Sequence, residues 1–138
     1  MIMNRNTTLL FWFVRIVAAL IMLQTLYFKF TGAKESIEIF TRMGMEPWGR
    51  VGTGVVELIA SILILIPATV WLGAILSIGV ISGAILSHLT ILGIEVQGDG
   101  GYLFILAVIT LICSLIALFL DRKQLPALIK KMLPSLLQ

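Results

Sequence analysis

Four long apolar runs dominate this chain and restrict it to folds that a lipid bilayer can surround. They cover about residues 9–28, 51–66, 70–92 and 102–120. A helix needs about 20 apolar residues to cross the hydrocarbon. The first, third and fourth runs reach that length. The second is short, but Trp48 and Gly49 before it and Pro67 after it are placed to sit at the interfaces. No backbone group can go unpaired in lipid, so each run is expected to be a helix. Composition agrees: 59% of the 138 residues are apolar and 12% are charged. A soluble domain carries about 25% charged residues, and a globule this small cannot hide so much apolar surface from water. The expected architecture is an all-α, four-helix transmembrane bundle forming one membrane domain over residues 1–138. The first run is too long for a signal peptide and lacks a small-residue cleavage site, so it is expected to be retained.

Two further segments read as amphipathic and interfacial. Between the first two spans, residues 34–43 put Ile37, Phe40 and Met43 on one side, with Lys34, Glu35, Glu38 and Arg42 elsewhere. Glu38 and Arg42 form an i,i+4 pair, Thr31 is a candidate N-cap and Gly44 a stop. In the tail, residues 125–137, a stripe of Leu125, Leu128, Ile129, Met132 and Leu136 runs beside Lys130 and Lys131. Four spans put both termini on one side of the membrane. Basic residues divide five against four between the two sides, so the positive-inside rule gives little. The abrupt end of the last run in Asp121-Arg122-Lys123 favours a cytoplasmic location for both termini.

Ionisable groups at membrane depth cost about 2.5–3.5 kcal/mol on insertion scales, so the few that are present carry the argument. They are Arg15, Glu57, His88 and, at the mouth, Lys29. If the first helix enters near Thr8 and the second exits near Ile66, Arg15 lies ~10 Å and Glu57 ~13 Å from the same face. Helices joined by a short connection tend to be neighbours. The expectation is a buried ion pair between Arg15 and Glu57. It serves packing specificity or chemistry with about equal weight. His88, ~27 Å along the third span, falls near the opposite face with Lys29 and the 95–99 loop. Ser77, Ile81, Ala84 and His88 share one helix face, as do Gly54, Glu57 and Ser61, and Arg15, Ala18, Met22 and Lys29 roughly. Together these faces describe a polar seam in an apolar bundle.

His88 is the only histidine in the chain. Two readings stand level: a structural imidazole bonded to a carbonyl or to Asp99, or a proton donor or acceptor to a ligand carbonyl. A metal site is not expected, because no second histidine or suitably spaced carboxylate accompanies it. A single-histidine haem ligand stays open. Cys113 is the single cysteine; it cannot form an internal disulfide, a CxxC pair or a zinc site, and reads as core filler. Gly98, Gly100 and Gly101 mark a turn with no phosphate-loop pattern around it. The net charge of +3 lies in caps and loops, with no basic patch interleaved with aromatics, so nucleic acid is not an expected partner.

Three stretches, LYFKFTGAKESIEIF (26–40), MGMEPWGRVGTGVVELIASILILIP (43–67) and GAILSHLTILG (83–93), resemble the DoxX-like family of small bacterial membrane proteins. The resemblance covers roughly residues 9–122. It rests on Lys29 with Thr31-Gly32, Glu46-Pro47-Trp48, Glu57 ahead of the run ending in Pro67, and Gly83-Ala84 before His88-Leu89. It implies a four-helix membrane bundle in the bacterial inner membrane and a loose association with redox chemistry. Some relatives are subunits of a thiosulfate:quinone oxidoreductase, and others are linked with thiol and oxidative-stress partners. The family offers no agreed catalytic set to carry over, and its motifs overlap the seam at Lys29, Glu57 and His88.

The leading expectation is that the bundle binds a quinone or a similar small hydrophobic carbonyl compound, with no intrinsic cofactor. His88 and Lys29 are expected to hydrogen-bond its head, and Arg15 and Glu57 to shape the seam. Without a CxxC, electrons for any quinone chemistry have to come from a redox partner protein or a bound cofactor. A carrier or proton-coupled transporter for a small solute, acting as a homo-oligomer with Glu57 handling the proton, is the second reading. A ligand-free assembly protein is the third. No catalytic residue is assigned.

Overall fold

The computed structural model describes residues 3–132. Its α-helices are α1 (Arg5–Phe30), α2 (Lys34–Arg42), α3 (Trp48–Leu65), α4 (Val70–Ser87), α5 (Tyr102–Leu120) and α6 (Ala127–Met132). A 3-10 turn, Pro67–Thr69, leads into α4, and a π-turn, His88–Leu92, follows it, so that helical span runs Pro67–Leu92; a second 3-10 turn, Arg122–Gln124, follows α5. No strand occurs among the described residues. The first span, α3, the Pro67–Leu92 span and α5 are each long and apolar enough to cross a membrane. The chain is a multi-pass membrane protein built as a four-helix bundle. Its outer surface is that of a protein solvated by lipid: Phe13 and Leu89 stand 63% and 62% exposed, an arrangement that water would penalise.

The spans close into a ring in which α1 and α4 each pack on both α3 and α5. Ala18, Ala60, Ala74 and Ala117 are fully buried where these helices meet. Small residues let membrane helices approach closely when lipid supplies no hydrophobic drive between them. The tightest approach is at Gly73, where a Cβ would fall 2.3 Å from the backbone nitrogen of Ile64; only glycine allows α4 to turn back against α3 there. A buried Ser77–Ser114 hydrogen bond of 2.7 Å joins α4 to α5 in the same half of the bundle.

The expected inward faces are the observed ones. Arg15, Ala18 and Met22 on α1, Gly54, Glu57 and Ser61 on α3, and Ser77, Ile81 and His88 on α4 and its π-turn are all buried. Two local expectations fail. Thr31 does not cap α2, whose N-cap Ala33 makes no side-chain bond; its hydroxyl donates to the Tyr27 carbonyl and closes α1 instead. Arg42 does not pair with Glu38. It donates to the Ile91 carbonyl at 3.2 Å, where it serves a backbone acceptor near the end of the π-turn rather than forming an exposed ion pair of small worth. The helix α2 sets Phe40 inward while Ile37 stays exposed, and Gly44 follows its end. α6 opens the expected amphipathic tail, behind a buried Leu125; Leu136 and the rest of that stretch beyond residue 132 lie outside the described residues.

Candidate functional site

The ends of α3 and α4 explain Arg15. The last carbonyls of a helix have no partner within it, and Pro67, just past α3, has no N–H to offer. Arg15 fills the gap: its Nε donates to the Ile64 carbonyl at 2.7 Å and an Nη to the Leu65 carbonyl at 2.8 Å. The guanidinium lies 4.0 Å from the centre of the Trp12 ring and 4.8 Å from that of Phe11. A cation at a helix C-terminus also complements the helix dipole. Asp121, just beyond α5, mirrors it by accepting the Trp71 N–H in the first turn of α4 at 2.9 Å. Burial pushes the Asp121 carboxyl above the usual carboxylate range, against the opposing pull of that N–H, of the Arg15 guanidinium and of the Gln124 amide.

The expected Arg15–Glu57 ion pair is therefore not formed. Among the described residues, the side-chain ion pairs are Lys29–Glu57 and Arg50–Glu46. Lys29 Nζ stands 2.6 Å from Glu57 Oε1, with the two side chains 15% and 5% exposed. Thr25, one helical turn before Lys29, brings its hydroxyl to 3.0 Å from Glu57 Oε2. The reason lies in register. Equating the edges of the apolar runs sets Arg15 opposite the middle of α3, whereas α1 spans Arg5–Phe30 and places Arg15 at the end of α3 and Lys29 within reach of Glu57. Arg50 of α3 in turn donates to the carbonyl of Lys29, close to the end of α1. Each of these antiparallel helices thus lends an arginine to the other's last turn.

His88 begins the π-turn, a local feature that is frequent at functional sites. The Gly93 N–H bonds the His88 carbonyl at 2.9 Å, and Gly93 adopts a φ of 84°. That left-handed residue swings its own carbonyl back to 2.8 Å from His88 Nδ1. A carbonyl only accepts, so Nδ1 carries a hydrogen and, in the neutral ring, Nε2 is a bare acceptor. The ring also meets Phe104 edge-on, centroids 5.6 Å apart. Asp99 does not bond His88; it accepts from the N–H groups of Val96, Gly101 and Leu103 at 3.0, 2.8 and 3.1 Å and caps the start of α5. Burial works against its charge, but those three donors and the nearby His88 outweigh it and hold the carboxyl below the usual carboxylate range.

Lys29, Glu57 and His88 line one cavity of about 860 Å³ in the half of the bundle away from the chain termini. It opens above the tight alanine layer, roughly from Met22, Ile81 and Thr110 outward, and is walled mainly by apolar side chains with α2 across its outer end. A mostly apolar chamber of this size with a few convergent polar groups is the usual form of a small-molecule site. Arg15 does not line it. The sequence profile of the DoxX-like family matches residues 13–116. The chain belongs to the DoxX-like family. No curated protein and no solved structure matches it.

In this DoxX-like protein the cavity unites three of the four side chains singled out by membrane depth. The roles of Thr25, Arg50 and Asp121 are not legible from depth. Thr25 carries one signal, its four-residue spacing from Lys29 on the inward side of α1.

Proposed function

We propose that the cavity binds a quinone-class compound, a small hydrophobic molecule with a polar carbonyl head, and that the protein serves a membrane redox system as a subunit or accessory. One observation carries the reading: an apolar chamber holding a donor and an acceptor that internal bonds leave partly free. Lys29 has three ammonium hydrogens and spends one on Glu57. It is a donor to a quinone carbonyl and equally to the oxygen of a quinol. His88, with Nδ1 committed to Gly93, offers Nε2 to a quinol hydroxyl. Glu57 holds the ammonium in place and keeps a cation tolerable in an apolar wall. The protein contributes no dithiol of its own, so a redox partner supplies or takes the electrons. The bacterial inner membrane, with both termini cytoplasmic, is the proposed setting.

The test is binding in native-lipid nanodiscs. Purified protein carries quinone in its lipid extract, and menadione, a bare naphthoquinone head, titrates it to saturation. His88→Phe keeps an aromatic ring against Phe104 but loses the acceptor, and weakens binding of the reduced form by about three- to tenfold, the worth of one neutral hydrogen bond. Native extracts without quinone, together with no menadione affinity in the wild type, contradict the reading.

A further inference from the structure

We propose that the ligand reaches this cavity sideways, from the bilayer, through a gap between α3 and α4, and that it is a lipid-borne carbonyl compound whose apolar tail stays in that gap. The inference rests on the quinone-class reading of the cavity and specifies its ligand further.

A second hollow of about 550 Å³ lies on the outer side of the α3–α4 seam. It shares Met45, Thr53, Gly79 and Val80 with the main cavity, so the two spaces abut along a common wall. Two glycines hold it open. A Cβ on Gly52 or on Gly79 would meet nothing within 4 Å. Gly79 stands midway along the Pro67–Leu92 span, at the depth of the acyl chains. Trp48, 66% exposed at the start of α3, lies along the same hollow, where an indole suits the headgroup boundary.

The opposite approach, from water, is crossed by two hydrogen bonds. Gln97 of the outer loop donates to the Glu35 carbonyl of α2 at 3.3 Å, and Arg42 of α2 reaches the Ile91 carbonyl of the π-turn at 3.2 Å. A tailed molecule taking that path also has to draw its hydrocarbon through water, whereas a lateral path keeps the tail in apolar surroundings throughout. Inside, the buried His88 ring presents an Nε2 that bonds no described residue, and Lys29 stands on the facing helix α1. The tail of a head bound between them reaches the side hollow past the residues that line both spaces, Met45, Thr53, Gly79 and Val80. Drug-sized sites occupy about 300–1,000 Å³, so the main cavity suits a head and the side hollow takes what the head drags behind it.

The experiment compares two probes that share a naphthoquinone head: menadione, which has no tail, and phylloquinone, which has a long one. Each is titrated into wild type, Gly52→Ala and Gly52→Leu in nanodiscs, with thermal unfolding followed by helical circular dichroism. Gly52 lines the side hollow and not the main cavity and has room for a side chain, and alanine and leucine are better helix formers than glycine, so both variants fold. The expected result is a loss of phylloquinone affinity of at least about tenfold in Gly52→Leu and a smaller loss in Gly52→Ala, with menadione affinity unchanged. Equal losses for both probes, or no loss for either, overturn the lateral path and leave the cavity reading standing. A wild type that binds neither probe overturns both.

Discussion

Replacing Arg15 with methionine removes the partner of two carbonyls at the end of α3 and lowers the stability of the folded bundle more than any other single change considered. The Ile64 and Leu65 carbonyls, held at 2.7 and 2.8 Å, lose their donor at a point where Pro67 supplies none. A buried polar group left unsatisfied costs about 1–3 kcal/mol, so the pair costs about 2–6 kcal/mol, and the lost stacking on Trp12 and Phe11 adds about 0.5–2 kcal/mol. Asp121 also loses the cation that moderates its burial. Arg15→Lys restores the charge but not the two-pronged donor, and recovers part of the loss. Thermal unfolding in detergent or nanodiscs reads the effect. An Arg15→Met protein as stable as wild type shows that α3's last turn finds other donors. Arg15 lies outside the cavity, so folded Arg15→Lys protein binds menadione with wild-type affinity.

The second large effect is a double-mutant cycle on Lys29 and Glu57. Removing one member of a buried pair strands the other charge, at about 3–5 kcal/mol, whereas replacing both with apolar residues of similar volume is often neutral. Lys29→Met and Glu57→Leu are therefore each strongly destabilising. The double variant returns close to wild-type unfolding temperature. Binding follows a different pattern. A hydrogen bond to a charged donor is worth about 1.5–3 kcal/mol, so the double variant, though folded, loses menadione affinity by about tenfold to a hundredfold. Full cellular function in the stable double variant supports a purely architectural role for the pair and contradicts the ligand reading. Simple addition of the two single losses shows that the 2.6 Å contact does not couple the residues energetically.

These two experiments separate residues that depth alone places in one class. Hydropathy reports how long a run is, and length against the hydrocarbon decides spanning, so the four spans are legible in number and order, but not their ends: α1 begins at Arg5 and α3 at Trp48, before the apolar runs at about 9 and 51. The 3.6-residue period reports which face turns inward, and Ala18, Met22, Gly54, Ser61, Ser77 and Ile81 are indeed buried. Neither reports how two helices slide past one another. Taking the edges of the apolar runs as level places Arg15 opposite Glu57. The observed register, with Arg15 at Ile64 and Leu65, differs by about two turns. That register answers to backbone groups: the orphan carbonyls at the end of α3, which a side-chain inventory does not contain. The same blindness hides Asp121 at the start of α4 and Arg50 near the end of α1. His88 is legible as an interfacial imidazole bonded to a carbonyl or to Asp99. The choice of the Gly93 carbonyl depends on a π-turn and a positive φ that the sequence announces only as a glycine.

The position of a bound head group tests the central claim most directly. A crystal structure with a brominated naphthoquinone kept reduced to its quinol, read by the anomalous scattering of bromine, is expected to show the label inside the cavity, with one quinol oxygen accepting from Lys29 Nζ and the other hydroxyl donating to His88 Nε2. A label found only on the lipid-facing surface, with those two atoms making no contact to it, contradicts the account.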